Sequence, residues 1–155
     1  MGHVVNTSRH LARQMWVAIY ETEEKDCTEK IQKLRLLVAY AQATKQHLRG
    51  EPLGETFAKL VTLEQFQELQ KMNHPPLEVA FWISDYLQSC FNANKLNAYQ
   101  LSSMLAQVDM LVEVLGGCER ISKTPIPLAF AIHLKQLLLL YCLALPFQRV
   151  GVLQW

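Results

Sequence analysis

Apolar residues recur at helical spacing along most of the chain, and no stretch alternates apolar and polar residues for long enough between turn signals to argue a strand. The cleanest stripe is Leu101, Met104, Leu105, Val108, Leu111, Val112 and Leu115. It predicts a helix with one face turned to a core, with Asn97 placed to cap its start and Gly116 and Gly117 to end it. A first helix is predicted from about Val4 to Tyr20, with Leu11, Met15, Ala18 and Ile19 on one side. The polar run Glu21 to Asp26 then breaks the pattern. A second helix restarts at Thr28, places Ile31, Leu34, Leu37, Val38 and Ala41 on its apolar face, and stops at Gly50 and Pro52. Thr62-Leu63-Glu64-Gln65 fits a capping box opening a short helix to about Met72. Pro75 and Pro76 suit the first turn of the next helix, which reaches about Phe91 before the break Asn92-Ala93-Asn94.

The pattern changes character after Gly116. A charged stretch, Cys118 to Lys123, leads through Pro125 and Pro127 into LAFAIHLKQLLLLYCLALPF, residues Leu128 to Phe147. At about 1.5 Å per residue, roughly 20 helical residues cross a hydrocarbon core of about 30 Å, which this segment just satisfies. Lys135 near its middle carries an insertion cost of about 2.5 to 3.5 kcal/mol, a penalty that the leucine-rich block around it offsets. A soluble core would have to bury that ammonium and find it a partner. A membrane bundle can turn it toward another helix or a water-filled cavity. The segment is therefore expected to span a membrane, and Arg120 and Lys123 before it favour a cytoplasmic N-terminal side over Arg149 behind it. The chain then divides into a cytosolic helical region (1–124), a transmembrane helix (125–147) and a short tail (148–155). The fold class is all-α.

Composition narrows the function. A chain of 155 residues with a net charge of +1 has room for one core and lacks the basic stripe of a nucleic-acid binder. Four separated cysteines without metal-ligand spacing read as reduced thiols, and neither a metal nor a cofactor is expected. Nothing at the start of the chain has the form of a signal peptide or a myristoylation motif. There is no phosphate-cradling glycine loop, nucleophile elbow or His-Glu-x-x-His helix, so no catalytic residue is assigned and the chain is not expected to be an enzyme. His74, beside two prolines, reads as a turn residue. A reactive role for Cys118 is opposed by the adjacent carboxylate of Glu119. Glu119 and Arg120 suit salt bridges or interface contacts, or contact with a permeating ion, and His133 suits either an interhelical hydrogen bond or the lining of a water-filled path. Lys135 joins them as a polar residue of a pore or interface.

Four segments together resemble the bestrophin-like channels of bacteria, fungi and plants: Val5 to Gln14, AYAQATKQHLRGE (Ala39 to Glu51), NHPPLEVAFWIS (Asn73 to Ser84), and GGCERISKTPIPLAFAIHLKQLLLLYCLALPF (Gly116 to Phe147). The last is the most specific, with its glycine pair, Cys-Glu-Arg, Thr-Pro-x-Pro and basic residue within the span in family order. The resemblance covers Gly2 to Phe147. It implies an all-helical homo-oligomer, a pentamer, set in membrane lipid and passing inorganic anions, chiefly chloride, with no nucleic-acid partner. The membrane is a plasma or organelle membrane. Each family subunit has four membrane helices, two of which precede the segment matched here, so this chain is expected to be an incomplete subunit that does not conduct alone. By the same resemblance Ile121 or Ile126 presents an apolar side chain to the pore axis as a constriction, and such a ring gates by dewetting. The alternative is a tail-anchored helical interaction protein, with Leu128 to Phe147 as its anchor.

Overall fold

The computed structural model describes residues 2–21, 24–124 and 128–152, with side chains described as far as Pro146. Among these residues the chain is helical and contains no strand. The helices are α1 (Gly2–Ala18), α2 (Glu24–Arg49), α3 (Glu55–Ala58), α4 (Leu63–Lys71), α5 (Pro75–Asn92), α6 (Ala98–Lys123) and α7 (Leu128–Val152). They fall into two units, one ending at Glu119 and the other beginning at Arg120.

Local chemistry sets most helix starts. Thr62 accepts from the Gln65 amide while the Gln65 side chain accepts from the Thr62 amide, the expected capping box. Asn97 and Gln100 form the same reciprocal pair at the head of α6, at 2.8 and 3.0 Å. Pro75 and Pro76 occupy the first turn of α5, where their missing amide hydrogens would have no helical partner. At the turn between α5 and α6, Asn94 takes a left-handed conformation with φ of 57°, which asparagine tolerates better than most residues. Short α3 carries no sequence signal strong enough to anticipate it.

The first unit is built around α2, which packs against α1 and α5. Its core gathers Leu11 and Met15 of α1, Leu37 and Tyr40 of α2, Ile83 and Leu87 of α5, and Met104, Val108 and Leu111 of α6. The expected stripe of α6 is the observed one: Met104, Val108, Leu111 and Leu115 are buried. The expected face of α2 is met in part, by buried Leu37 and by Leu34 packed against the core. Ile31 and Val38 are exposed, as is Ala41, while Lys30, Leu36, Leu37, Ala39, Tyr40, Ala43 and Thr44 are buried. The helix is rotated because Lys30, which a polarity pattern assigns to solvent, has satisfied partners inside. Its Nζ donates to the carbonyls of Trp16 and Ile19 at 3.0 and 2.9 Å and pairs with Glu21 at 2.6 Å. Carbonyls at a helix end lack the amide of a following turn, so a cation there completes α1 both as hydrogen-bond donor and as counter-charge.

A second correction concerns Gly116 and Gly117. They do not end α6, which runs on to Lys123. A glycine stops a helix by adopting the left-handed conformation just past its end, and neither does so; the glycine with positive φ is Gly50, after α2. The helix instead closes at Thr124, whose amide and hydroxyl both donate to the Arg120 carbonyl, at 3.0 and 2.6 Å, ahead of Pro125.

Tyr40 couples α2 to α6. Its fully buried ring places the hydroxyl 2.7 Å from the Leu111 carbonyl, to which it donates. Burial pushes its pKa up to about 12. Between pH 10 and 12 the unfolded chain has released the phenolic proton and the folded chain has kept it, so stability falls as pH rises through that window and is fully present below it. The loss from this residue is on the order of 1 kcal/mol per pH unit. Tyr86, also raised by burial, adds to it in the same direction. Denaturant titrations at pH 8 and pH 11 are expected to show this loss, and Tyr40→Phe to flatten it while lowering stability at pH 8 by about 1 kcal/mol.

Candidate functional site

Two helices, α6 and α7, are long and apolar enough to cross a membrane. They differ in what covers them. α6 buries one stripe in the core of its unit, as a core helix does, whereas no side chain of α7 from Ala129 to Pro146 is buried. Leucines and aromatic residues, including Phe130, Leu137 and Tyr141, stand exposed all round it. A helix apolar on every side requires either hydrocarbon or other protein around it. Among the described residues its side chains from Ala129 to Pro146 are uncovered, unlike those of a core helix. Pro146 lies inside α7 rather than at its end, and the helix continues to Val152.

His133 and Lys135 are exposed on α7 and sit two positions apart, which on a helix directs them to nearly opposite sides. One face therefore cannot present both to the same partner. Arg120 and Ile121 occupy the last turns of α6, both exposed, and Ile121 is 79% exposed. An isoleucine this open, between an arginine and a serine, makes little apolar contact among the described residues. Ile126 lies outside the described residues.

Glu119 is partly buried and is drawn into a group that sequence reasoning did not assemble. Its Oε1 lies 3.0 Å from His47 Nε2 and 3.8 Å from His74 Nδ1. The two imidazoles meet with ring centroids 5.0 Å apart and planes inclined by 52°. His47 comes from the last turn of α2, His74 is the N-cap residue of α5, and Glu119 sits one turn before the end of α6. Three segments quoted for the family resemblance thus converge on one carboxylate oxygen. The available signal was that each contributes a histidine or glutamate at a helix end. The intervening 26 and 44 residues hid the convergence from any spacing argument. Beside it, residues including Ala43, His47, Pro52, Leu69 and Pro75 line an open cleft of about 260 Å³.

The bacterial/fungal bestrophin protein family matches the chain over residues 1–155. A voltage-dependent anion channel-forming protein of Nostoc sp. is 54% identical over 154 residues, covering 99% of this chain and 50% of that protein. One of Synechocystis sp. is 53% identical with the same coverage. A crystal structure of a bacterial bestrophin homologue from Klebsiella pneumoniae superposes with a TM-score of 0.81 at 30% identity, covering 98% of this chain and 55% of that one. The chain spans about half the length of the curated relatives it matches, and those relatives are named for channel formation rather than catalysis. With its helical fold, its uncovered apolar α7 and this likeness along its whole length, the chain belongs to the bacterial and fungal bestrophin family.

Proposed function

We propose that this chain forms part of an anion channel subunit, assembling as a homo-oligomer, a pentamer by family resemblance, that passes chloride passively across a membrane. The observation that carries the reading is 54% identity, over nearly all of this chain, to a protein named for anion channel formation. In this reading α7 crosses a plasma or organelle membrane in contact with lipid, and residues 1–124 lie on the cytosolic side. Ile121 or Ile126 lines a constriction, while Glu119, Arg120, His133 and Lys135 are polar residues of the pore or of the contacts between subunits. A pore needs a closed ring of lining segments, and polar groups at membrane depth must be covered by protein or water. The residues present here supply a share of that ring.

The first unit's surface supports assembly over a freestanding anchor-and-domain protein. Trp16 and Val17 lie near the end of α1 and Tyr20 just beyond it, Ile31 and Val38 share one side of α2, and Leu77 and Phe81 one side of α5, all exposed. Apolar faces of this kind mark contacts with other chains. A tail-anchored interaction protein would become a soluble monomer once α7 is removed. Residues 1–124 expressed without α7 are expected instead to self-associate or to require detergent, as read by light scattering and size-exclusion chromatography. A monodisperse soluble monomer would favour the tail-anchored reading.

A further inference from the structure

We propose that His47, His74 and Glu119 form a binding site for a divalent transition-metal ion of the zinc type. One ring nitrogen each from His47 and His74 and one Glu119 carboxylate oxygen lie within 4.8 Å of one another. Two imidazole nitrogens with one carboxylate are a donor set suited to borderline metals such as zinc, cobalt and nickel, and leave further positions for water. Around an ion with bonds of about 2.0 to 2.1 Å in tetrahedral geometry, ligand atoms stand about 3.3 Å apart. The His47–Glu119 separation of 3.0 Å and the His74–Glu119 separation of 3.8 Å bracket that value.

The supporting shell has the right asymmetry. His47 and Glu119 are 19% and 21% exposed, held by α2 and α6, so two ligands are fixed by the core of the unit. His74 is 52% exposed at the head of α5 and makes no capping hydrogen bond from its side chain, so its ring is free to close the remaining distance. Glu119 Oε1 is hydrogen-bonded to His47 and lies 3.8 Å from His74; an ion between them replaces the His47–Glu119 contact with two bonds and brings His74 in. The same ion would tie α6 at Glu119 to the ends of α2 and α5. The site stands on geometry within the first unit and does not rest on the channel reading, since its test requires no flux.

The test is titration of the full chain in detergent with zinc chloride against a chromophoric chelator, with cobalt(II) as a spectroscopic probe. One ion per chain is expected, together with visible cobalt bands and no thiolate charge-transfer band, which excludes Cys27, Cys118 and Cys142 as the ligands. His74→Ala, at a half-exposed position whose loss leaves the core intact, is expected to weaken binding at least tenfold. Glu119→Gln, whose amide retains a hydrogen bond to His47, should do the same, and Cys118→Ser should leave affinity unchanged. Absence of stoichiometric zinc, a thiolate band, or unchanged affinity in His74→Ala would each overturn the proposal.

Discussion

Replacing Lys30 with methionine is expected to lower the stability of the helical unit by about 3 kcal/mol. Lys30 is 2% exposed and its ammonium is surrounded by acceptors: the carbonyls of Trp16 and Ile19 and the carboxylate of Glu21. It also lies 5.3 Å from the centroid of the Trp16 ring, within cation–π range. Methionine keeps the length and the packing of the stem, so the change isolates the loss of the charged donor. Each buried carbonyl left without a partner costs about 1 to 3 kcal/mol. Glu21, 38% exposed, turns to water and adds little. Lys45, on the exposed side of the same helix, is the control: its methionine variant should lie within about 0.5 kcal/mol of the parent. Urea titration followed by circular dichroism reads both. A Lys30→Met chain as stable as the Lys45→Met chain would mean that α1 does not depend on this cap.

The second large effect is on conduction. The 155 residues, substituted for the matching half of the Nostoc relative, give a full-length chain in which the constriction proposal can be read. An isoleucine ring hinders ions because a narrow apolar passage dewets, and threonine, with a hydroxyl where isoleucine has an ethyl group, makes the ring both more polar and wider, which lowers that barrier. Threonine at the lining position is therefore expected to raise chloride efflux from liposomes several-fold. The position that does not line the ring should leave efflux within about twofold. Ile121→Thr and Ile126→Thr are compared separately, with the intact chimera as reference. If neither substitution moves the rate, there is no apolar constriction in this segment.

The helices were legible because their signals are local. The Thr62–Gln65 box, the proline pair heading α5 and the α6 stripe each rest on residues within a turn or two of one another, and the structure places them as expected. What was not legible depended on partners far along the chain. The rotation of α2 follows from Lys30 meeting the end of α1, and polarity alone sends a lysine to solvent. The glycine pair looked like a stop, but whether glycine ends a helix depends on its φ, which the residue type leaves open. His47, His74 and Glu119 meet only after α2, α5 and α6 have packed, so their convergence belongs to the tertiary fold. The length and apolar composition of α7 were legible in the sequence.

Whether this chain supplies a working part of an anion channel is read most directly from chloride efflux out of liposomes containing the unmutated chimera with the Nostoc relative. Efflux comparable with that of the relative itself, carried by anions in preference to cations, is expected. A chimera that inserts into the membrane and assembles to the relative's oligomeric state, yet passes no chloride, would contradict the proposed function.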